Sequence, residues 1–179
     1  MNKVVLVVLA SVWIGGLVFI GARMWHSTTQ SPTPTPITNR TATQYFDSGL
    51  EYSQGGEHQK AIANYTRAIN LEPQNAKIWV NRGTAYRTLR QFEKAIRDLD
   101  KAIRLDPQNA KAYYNKGLSY HSLDRYDKAI KNFDEAIRLD PQWASAYYRR
   151  GVAHKRLGQQ NKADADKKKA CELDSTKCD

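Results

Sequence analysis

Few side chains in this sequence are equipped for chemistry. Cys171 and Cys178 are its only cysteines, and His26, His58, His121 and His154 its only histidines. On one continuous helix, seven residues correspond to about 10.5 Å, beyond the reach of a disulfide. Oxidation of the pair therefore requires a helix that ends near Leu173 and a tail that turns back through Asp174 and Ser175. The alternative is a semi-buried Cys171 and a loose Cys178. The cysteines and histidines show no zinc-ligand spacing, so no metal is expected. Group transfer and hydrolysis lack their parts too: there is no glycine-rich phosphate loop, no nucleophile at a recognised spacing from a base, and no HExxH. Asp98, Asp100, Asp106, Asp134, Glu135 and Asp140 have lysines and arginines nearby, as in ordinary helix-surface ion pairs. The expectation is a protein that is not an enzyme and needs no cofactor.

What remains is binding chemistry, and charge points its direction. The 179 residues carry 28 Lys and Arg against 18 Asp and Glu, a formal net charge of +10. Lys3, Arg23 and Arg40 precede the first acid, Asp47, so 25 cations face 18 acids beyond residue 40. This basic balance favours acidic partners without naming one. It would also supply non-specific affinity for nucleic acid, a minor alternative that export of the domain disfavours.

The amino end reads as a membrane element. Val4 to Ala22 is uncharged and flanked by Lys3 and Arg23. Nineteen helical residues span about 28 Å, close to the hydrocarbon thickness of a bilayer. Ile20 stands where a cleavage site needs a small residue, which favours an uncleaved signal anchor over residues 1–26. Residues 27–41, with Pro32, Pro34 and Pro36, read as an extended spacer. The positive-inside rule is nearly balanced between Lys3 and Arg23. The cysteine pair tips the expectation towards a cytosolic amino end and an extracytoplasmic folded domain, periplasmic in a bacterium. The reverse, a receptor or co-chaperone-like adaptor on a cytosolic membrane face, is the runner-up.

The elements that must position any binding residues come from a 34-residue period. Gly49, Gly83, Gly117 and Gly151 mark it, each preceded by four residues by Tyr45, Trp79, Tyr113 or Tyr147. Tyr52, Tyr86, Tyr120 and His154 follow three residues later. Two series of alanines, Ala61, Ala95, Ala129, Ala163 and Ala68, Ala102, Ala136, Ala170, recur downstream, and Pro73, Pro107 and Pro141 close the first three units. Each unit reads as two helices joined by a short turn, with small residues where the helices cross and aromatics beside them. Asn75 and Asn109 stand where helix N-caps are needed. One hairpin cannot bury its apolar stripe alone, so the units at 42–75, 76–109, 110–143 and 144–179 must stack. In the last unit Asp164 and Lys167 replace apolar residues, marking a solvated cap.

This pattern resembles the tetratricopeptide repeat (TPR) family, over about three quarters of the chain. Two departures stand out: Leu99 occupies an aromatic position, and Ser48, Arg82, Lys116 and Arg150 replace the leucine that usually precedes the glycine. The resemblance implies an all-α, right-handed α-solenoid of about four helical hairpins, here preceded by a transmembrane helix and a flexible linker. It implies a scaffold that binds an extended peptide or helix in the groove lined by the first helix of each unit. Mapped onto this sequence, that groove contains Lys77, Asn81, Arg87, Lys111, Tyr114, Asn115, His121, Tyr148, Arg149, Lys155 and Arg156. Cationic and amide donors beside aromatic faces suit a carboxylate-bearing peptide. The family's five-residue clamp for a C-terminal carboxylate is incomplete in either frame. Asn81 and Lys111 match in one, where Phe46, Leu50 and Asn115 do not; Asn115 and Arg149 match in the other, where Val80, Thr84 and Ser145 do not.

Overall fold

A computed structural model describes residues 40–178. The expected span at 4–22, and the 27–41 spacer except its last two residues, lie outside the described residues. Among those described, no helix is long and apolar enough to cross a membrane. Eight helices follow one another: α1 (Ala42–Gln54), α2 (His58–Leu71), α3 (Ala76–Thr88), α4 (Phe92–Leu105), α5 (Ala110–Ser122), α6 (Tyr126–Leu139), α7 (Ala144–Arg156) and α8 (Gln160–Leu173).

Local chemistry accounts for the boundaries. The turn inside each hairpin needs one left-handed residue, supplied by Gly56, Arg90, Asp124 and Gly158 with φ of 77°, 59°, 56° and 72°. Glycine takes that conformation freely, whereas Arg90 and Asp124 hold it at a cost. Between hairpins, Glu72, Asp106 and Asp140 precede proline and leave the helical region, with φ of −130°, −140° and −136° and ψ of 73°, 90° and 87°, which ends α2, α4 and α6. Asn109 caps α5, its Oδ1 accepting from the Ala112 amide at 3.1 Å. Asn75 occupies the N-cap of α3 but makes no such bond; its amide instead donates to Glu72 at 3.1 Å. Thr41 and Gln44 close a reciprocal capping box on α1.

Consecutive helices pack pairwise, and the odd-numbered helices α1, α3, α5 and α7 also touch one another in sequence, while the even-numbered ones do not. The first helices therefore form the inner row of a curved stack and the second helices the outer row. At the first three hairpin crossings the repeat glycine meets a bulky residue sixteen positions on, whereas Gly151 meets Asp166 Cβ and backbone. A Cβ at Gly117 would come within 2.6 Å of the Phe133 ring, and one at Gly83 would lie 3.0 Å from Leu99 Cγ. Tyr65, Leu99 and Phe133 are almost wholly buried in these crossings. In the last hairpin Lys167 takes their place and is exposed, as is Asp164.

The unusual residues before the glycines also find their purpose here. Arg82 forms a two-pronged bridge to Asp98, at 2.7 and 2.9 Å, and donates to Thr66 of the preceding unit at 2.9 Å. Arg150 repeats this, with Asp166 in its own hairpin at 2.6 and 2.8 Å and Asp134 of the preceding one at 2.7 Å. Lys116 reaches back to Asp100 at 2.7 Å. Asp98 and Asp166 are each only 6% exposed, so their bridges are interior links between the two helices of one hairpin, and the contacts to Thr66, Asp100 and Asp134 extend them to the preceding hairpin. Hydrogen bonding to Asp166 holds the Arg150 pKa above its ordinary value despite partial burial.

Candidate functional site

The inner row presents the residues expected to line a groove. They lie on α3, α5 and α7 because unit positions 2, 5, 6, 9, 12 and 13 share one helical face. Lys77, Lys111, Arg149, Lys155 and Arg156 are exposed, and Asn81, Arg87, Tyr114, Asn115, His121 and Tyr148 are half-buried. Two of them are less available than their type implies. Asn81 and Asn115 each donate an amide hydrogen to the carbonyl four residues back, Lys77 and Lys111, at 2.8 Å. Their remaining amide hydrogens and side-chain oxygens, rather than full donor sets, face any partner.

The cations of the first helices divide into two populations. Those preceding the repeat glycines, Arg82, Lys116 and Arg150, are all paired with carboxylates. Among the described residues, none of Lys77, Arg87, Lys111, Arg149, Lys155 and Arg156 forms a salt bridge. Lys77 instead sits 5.1 Å above the Phe46 ring and Arg149 5.9 Å from the Tyr148 ring, contacts that leave their charge unneutralised. Burial pushes the Arg87 guanidinium below its ordinary pKa, with Arg149 adding repulsion against the opposing influence of Tyr114. His121 is pushed down by burial first, then by Arg149 and Arg156, and only Asp124 opposes them. The groove thus concentrates positive potential that the fold does not cancel. Its aromatic floor is Tyr114, whose ring lies 4.4 Å from Trp143 and 5.8 Å from Phe133, together with Tyr148.

The carboxyl end closes one side of this surface. α8 ends at Leu173, Asp174 turns the chain, and a 3₁₀ turn, Ser175–Lys177, packs against α7 and α8. Cys171 and Cys178 are joined as a disulfide, their Cα atoms 4.6 Å apart. The turn places Thr176 and Lys177 opposite Tyr114, Ser145, Tyr148 and Arg149, enclosing a cleft of roughly 320 Å³. Among the described residues, no three His, Cys, Asp or Glu side chains group as metal ligands.

Sequence reasoning missed two features of this region. The cation before three of the four repeat glycines was visible as a departure, and an acid sixteen residues away on one side or the other was the available signal for its pairing. The contribution of Thr176 and Lys177 to the groove had no signal beyond the cysteine spacing.

Comparison with known proteins agrees with this architecture. Family models described as tetratricopeptide repeats match residues 49–89, 80–143 and 114–165. No curated protein matches the chain significantly. Among solved structures, a crystal structure of MamA superposes with a TM-score of 0.72 at 29% identity, covering 76% of this chain and 80% of that one. The first TPR domain of Spaghetti (RPAP3), bound to the HSP90 peptide SRMEEVD, gives 0.65 at 26% identity, covering 66% and 94%. The Arabidopsis OM64 TPR domain gives 0.63 at 32% identity, covering 64% and 94%. With its period, its stacked helical pairs and these matches in accord, the chain belongs to the tetratricopeptide repeat family.

Proposed function

We propose that this protein is a membrane-tethered scaffold that holds an acidic protein or peptide in its inner groove, on the extracytoplasmic side of the membrane. The observation that carries the reading is the division of cations on the first helices: those at the hairpin crossings are paired, and those on the groove face are not. Unpaired cations beside tyrosine faces attract carboxylates and supply charge-assisted hydrogen bonds on contact. The peptide-bound RPAP3 domain supports the use of such a surface for peptides. The uncharged stretch Val4–Ala22 supports a tether, and the cysteine pair, joined at the end of the fold, supports an oxidising compartment. No nucleic acid and no cofactor are required.

A photo-crosslinking residue at Tyr148, on the groove, compared with one at Arg97, exposed on the outer helix α4, tests the binding face in intact cells. Adducts from position 148 and none from 97 are expected; the reverse result moves binding to the outer face. A membrane-impermeant maleimide tests the compartment: labelling of Cys171 and Cys178 only after external reduction is expected. Labelling that needs permeabilisation and no reduction would place the domain in the cytosol.

A further inference from the structure

The outer helices carry a charge pattern that the groove does not use. On α4, Lys94, Arg97, Lys101 and Arg104 recur at intervals of three, four and three residues, which places them on one stripe of the helix. The stripe faces away from the buried Ala95, Leu99 and Ala102; Lys101 is half-buried and the other three cations are exposed. On α6 the same stripe holds Lys128, Lys131, Glu135 and Arg138. Across the four outer helices these positions, repeated every 34 residues, carry eleven cations and two acids, Glu135 and Glu172. Lys60, Arg138 and Lys169 each pair with an acid three residues away, in exposed pairs of little strength. Among the described residues, the other eight cations of this crest form no salt bridge.

The outer helices do contain acids, but the fold spends them elsewhere. Asp98, Asp100, Asp134 and Asp166 lie on the flanks that meet the inner row, where Arg82, Lys116 and Arg150 hold them. Glu93 and Asp127 stand at the rim, in the first turns of α4 and α6, where the helix dipole favours an acid. The crest is left with like charges three and four residues apart on α4, a spacing that destabilises an isolated helix. A merely solvated face gains more from mixed signs, so this one is built to meet a counter-charge. The same positions hold no aromatic side chain, and among the described residues the large exposed hydrophobic is Leu71, outside the stripe. Protein interfaces form around an apolar core, and single-stranded nucleic acid is held by stacking on aromatics. The crest offers neither. A layer of lipid phosphates requires only spread positive charge.

We propose that the outer crest, centred on Arg97, Lys101, Arg104 and Lys131, is a docking face for the anionic lipid headgroups of the membrane to which the chain is tethered. It rests on the tether reading above for the choice of membrane. A spacer over residues 27–41 confines the domain to within about 45 Å of the bilayer, so contact becomes intramolecular and a modest attraction suffices. Each basic residue beside an anionic surface raises affinity roughly fivefold. Lysine and arginine side chains rest among headgroups and do not enter the hydrocarbon. The inner row lies on the other side of the stack, so docking turns the groove away from the bilayer and leaves it open to a partner.

The test reconstitutes the whole chain into vesicles of phosphatidylcholine, or of equal parts phosphatidylcholine and phosphatidylglycerol, at about 0.1 M salt. A fluorescent amino acid replaces Lys94 on the crest or, as a matched control, Lys111 on the inner row, both exposed lysines. A headgroup-spin-labelled lipid quenches whichever probe touches the bilayer surface. Quenching at position 94 is expected to be at least about fivefold greater in the anionic vesicles and to vanish at about 1 M salt, with no such rise at position 111. Arg97→Gln, Arg104→Gln and Lys131→Gln together, at exposed side chains without salt bridges, should return it to the neutral-vesicle level. Arg97→Lys, Arg104→Lys and Lys131→Arg together should preserve it. Equal quenching in neutral and anionic vesicles, equal quenching at positions 94 and 111, or loss in the charge-preserving variant would overturn the docking face. Release of the quenching by an oligothymidylate, at a phosphate concentration matching the anionic lipid, would replace the lipid by nucleic acid as the partner. Loss of the chain from neutral vesicles on alkaline carbonate washing would refute the tether, and quenching is scored before washing, so the two failures are distinguishable. The crosslinking experiment counts protein adducts, so lipid contact at Arg97 leaves its expected outcome unchanged.

Discussion

Replacing Gly117 with alanine sets two opposed effects of known size against each other. In a helix interior, alanine is favoured over glycine by about 1 kcal/mol, because glycine loses more backbone freedom on folding. The added methyl, however, would sit 2.6 Å and 2.8 Å from two carbons of the Phe133 ring. Carbon atoms rest at about 3.5–4.0 Å, so the ring must retreat by roughly 1 Å. Phe133 has 0% exposure and packs against Tyr114 with ring centres 5.8 Å apart, which leaves it nowhere to go. Overpacking of this kind costs about 1–3 kcal/mol, and at such short contacts the upper end applies. The net expectation for Gly117→Ala is destabilisation by about 1–2 kcal/mol, read by urea unfolding of the whole chain with circular dichroism as the signal. Gly83→Ala is the internal control. Its nearest neighbour, Leu99 Cγ, lies at 3.0 Å and needs to yield only a few tenths of an ångström, so propensity and crowding should nearly cancel. Phe133→Leu in the Gly117→Ala background should recover stability, with a coupling of about 1 kcal/mol or more. Should Gly117→Ala stabilise the protein, or should Gly83→Ala prove as damaging, the steric account of the repeat glycine is refuted.

Other expectations follow from the same geometry. Arg150→Met strands Asp166, which is only 6% exposed, and should cost about 2–3 kcal/mol in urea unfolding, while Asp134→Asn, at a half-exposed partner, should cost less than about 1 kcal/mol. Arg90→Gly relieves a left-handed residue at φ 59° and should raise stability by about 0.5 kcal/mol, after the extra entropy of the unfolded glycine is subtracted; a loss would show that the Arg90–Phe92 contact matters more. The disulfide spans a separation of seven residues, and its reduction should cost about 2.4 kcal/mol and increase amide exchange over 171–178 while leaving α1 to α4 unaffected. The folded-state pKa of His121 lies below its ordinary value near 6.5, so its neutral form is the one the fold accommodates. Its stability contribution is full above that value and is lost as pH falls through it. His121→Gln should therefore flatten the acid loss of stability between about pH 7 and 5, with Arg149, Arg156 and Asp124 as the charges facing it.

The 34-residue period by itself determined the helices, their pairing and their number, because a glycine, two alanines and an aromatic at helical spacing admit one crossing geometry. It also assigned the candidate groove residues to unit positions that share a helix face. The sequence further showed that Cys171 and Cys178 require a turned-back tail. What it left open depends on distances between hairpins, which no local pattern encodes. Arg82, Arg150 and Arg149 look alike as letters. Packing of each hairpin on itself puts Asp98 and Asp166 within reach of the first two, while the third forms no salt bridge among the described residues. Asn81 and Asn115 look like free donors, yet the helix itself takes one hydrogen of each. Asn75 fills an N-cap position without capping, although Asn109 makes the same amide bond to an acid three residues back and caps as well. Most of all, only the tertiary structure brings Lys177 opposite Arg149 and leaves Arg87 and His121 buried and unpaired. Burial and charge neutralisation are properties of a three-dimensional neighbourhood, and that neighbourhood is assembled from residues 28 to 90 positions apart in the chain.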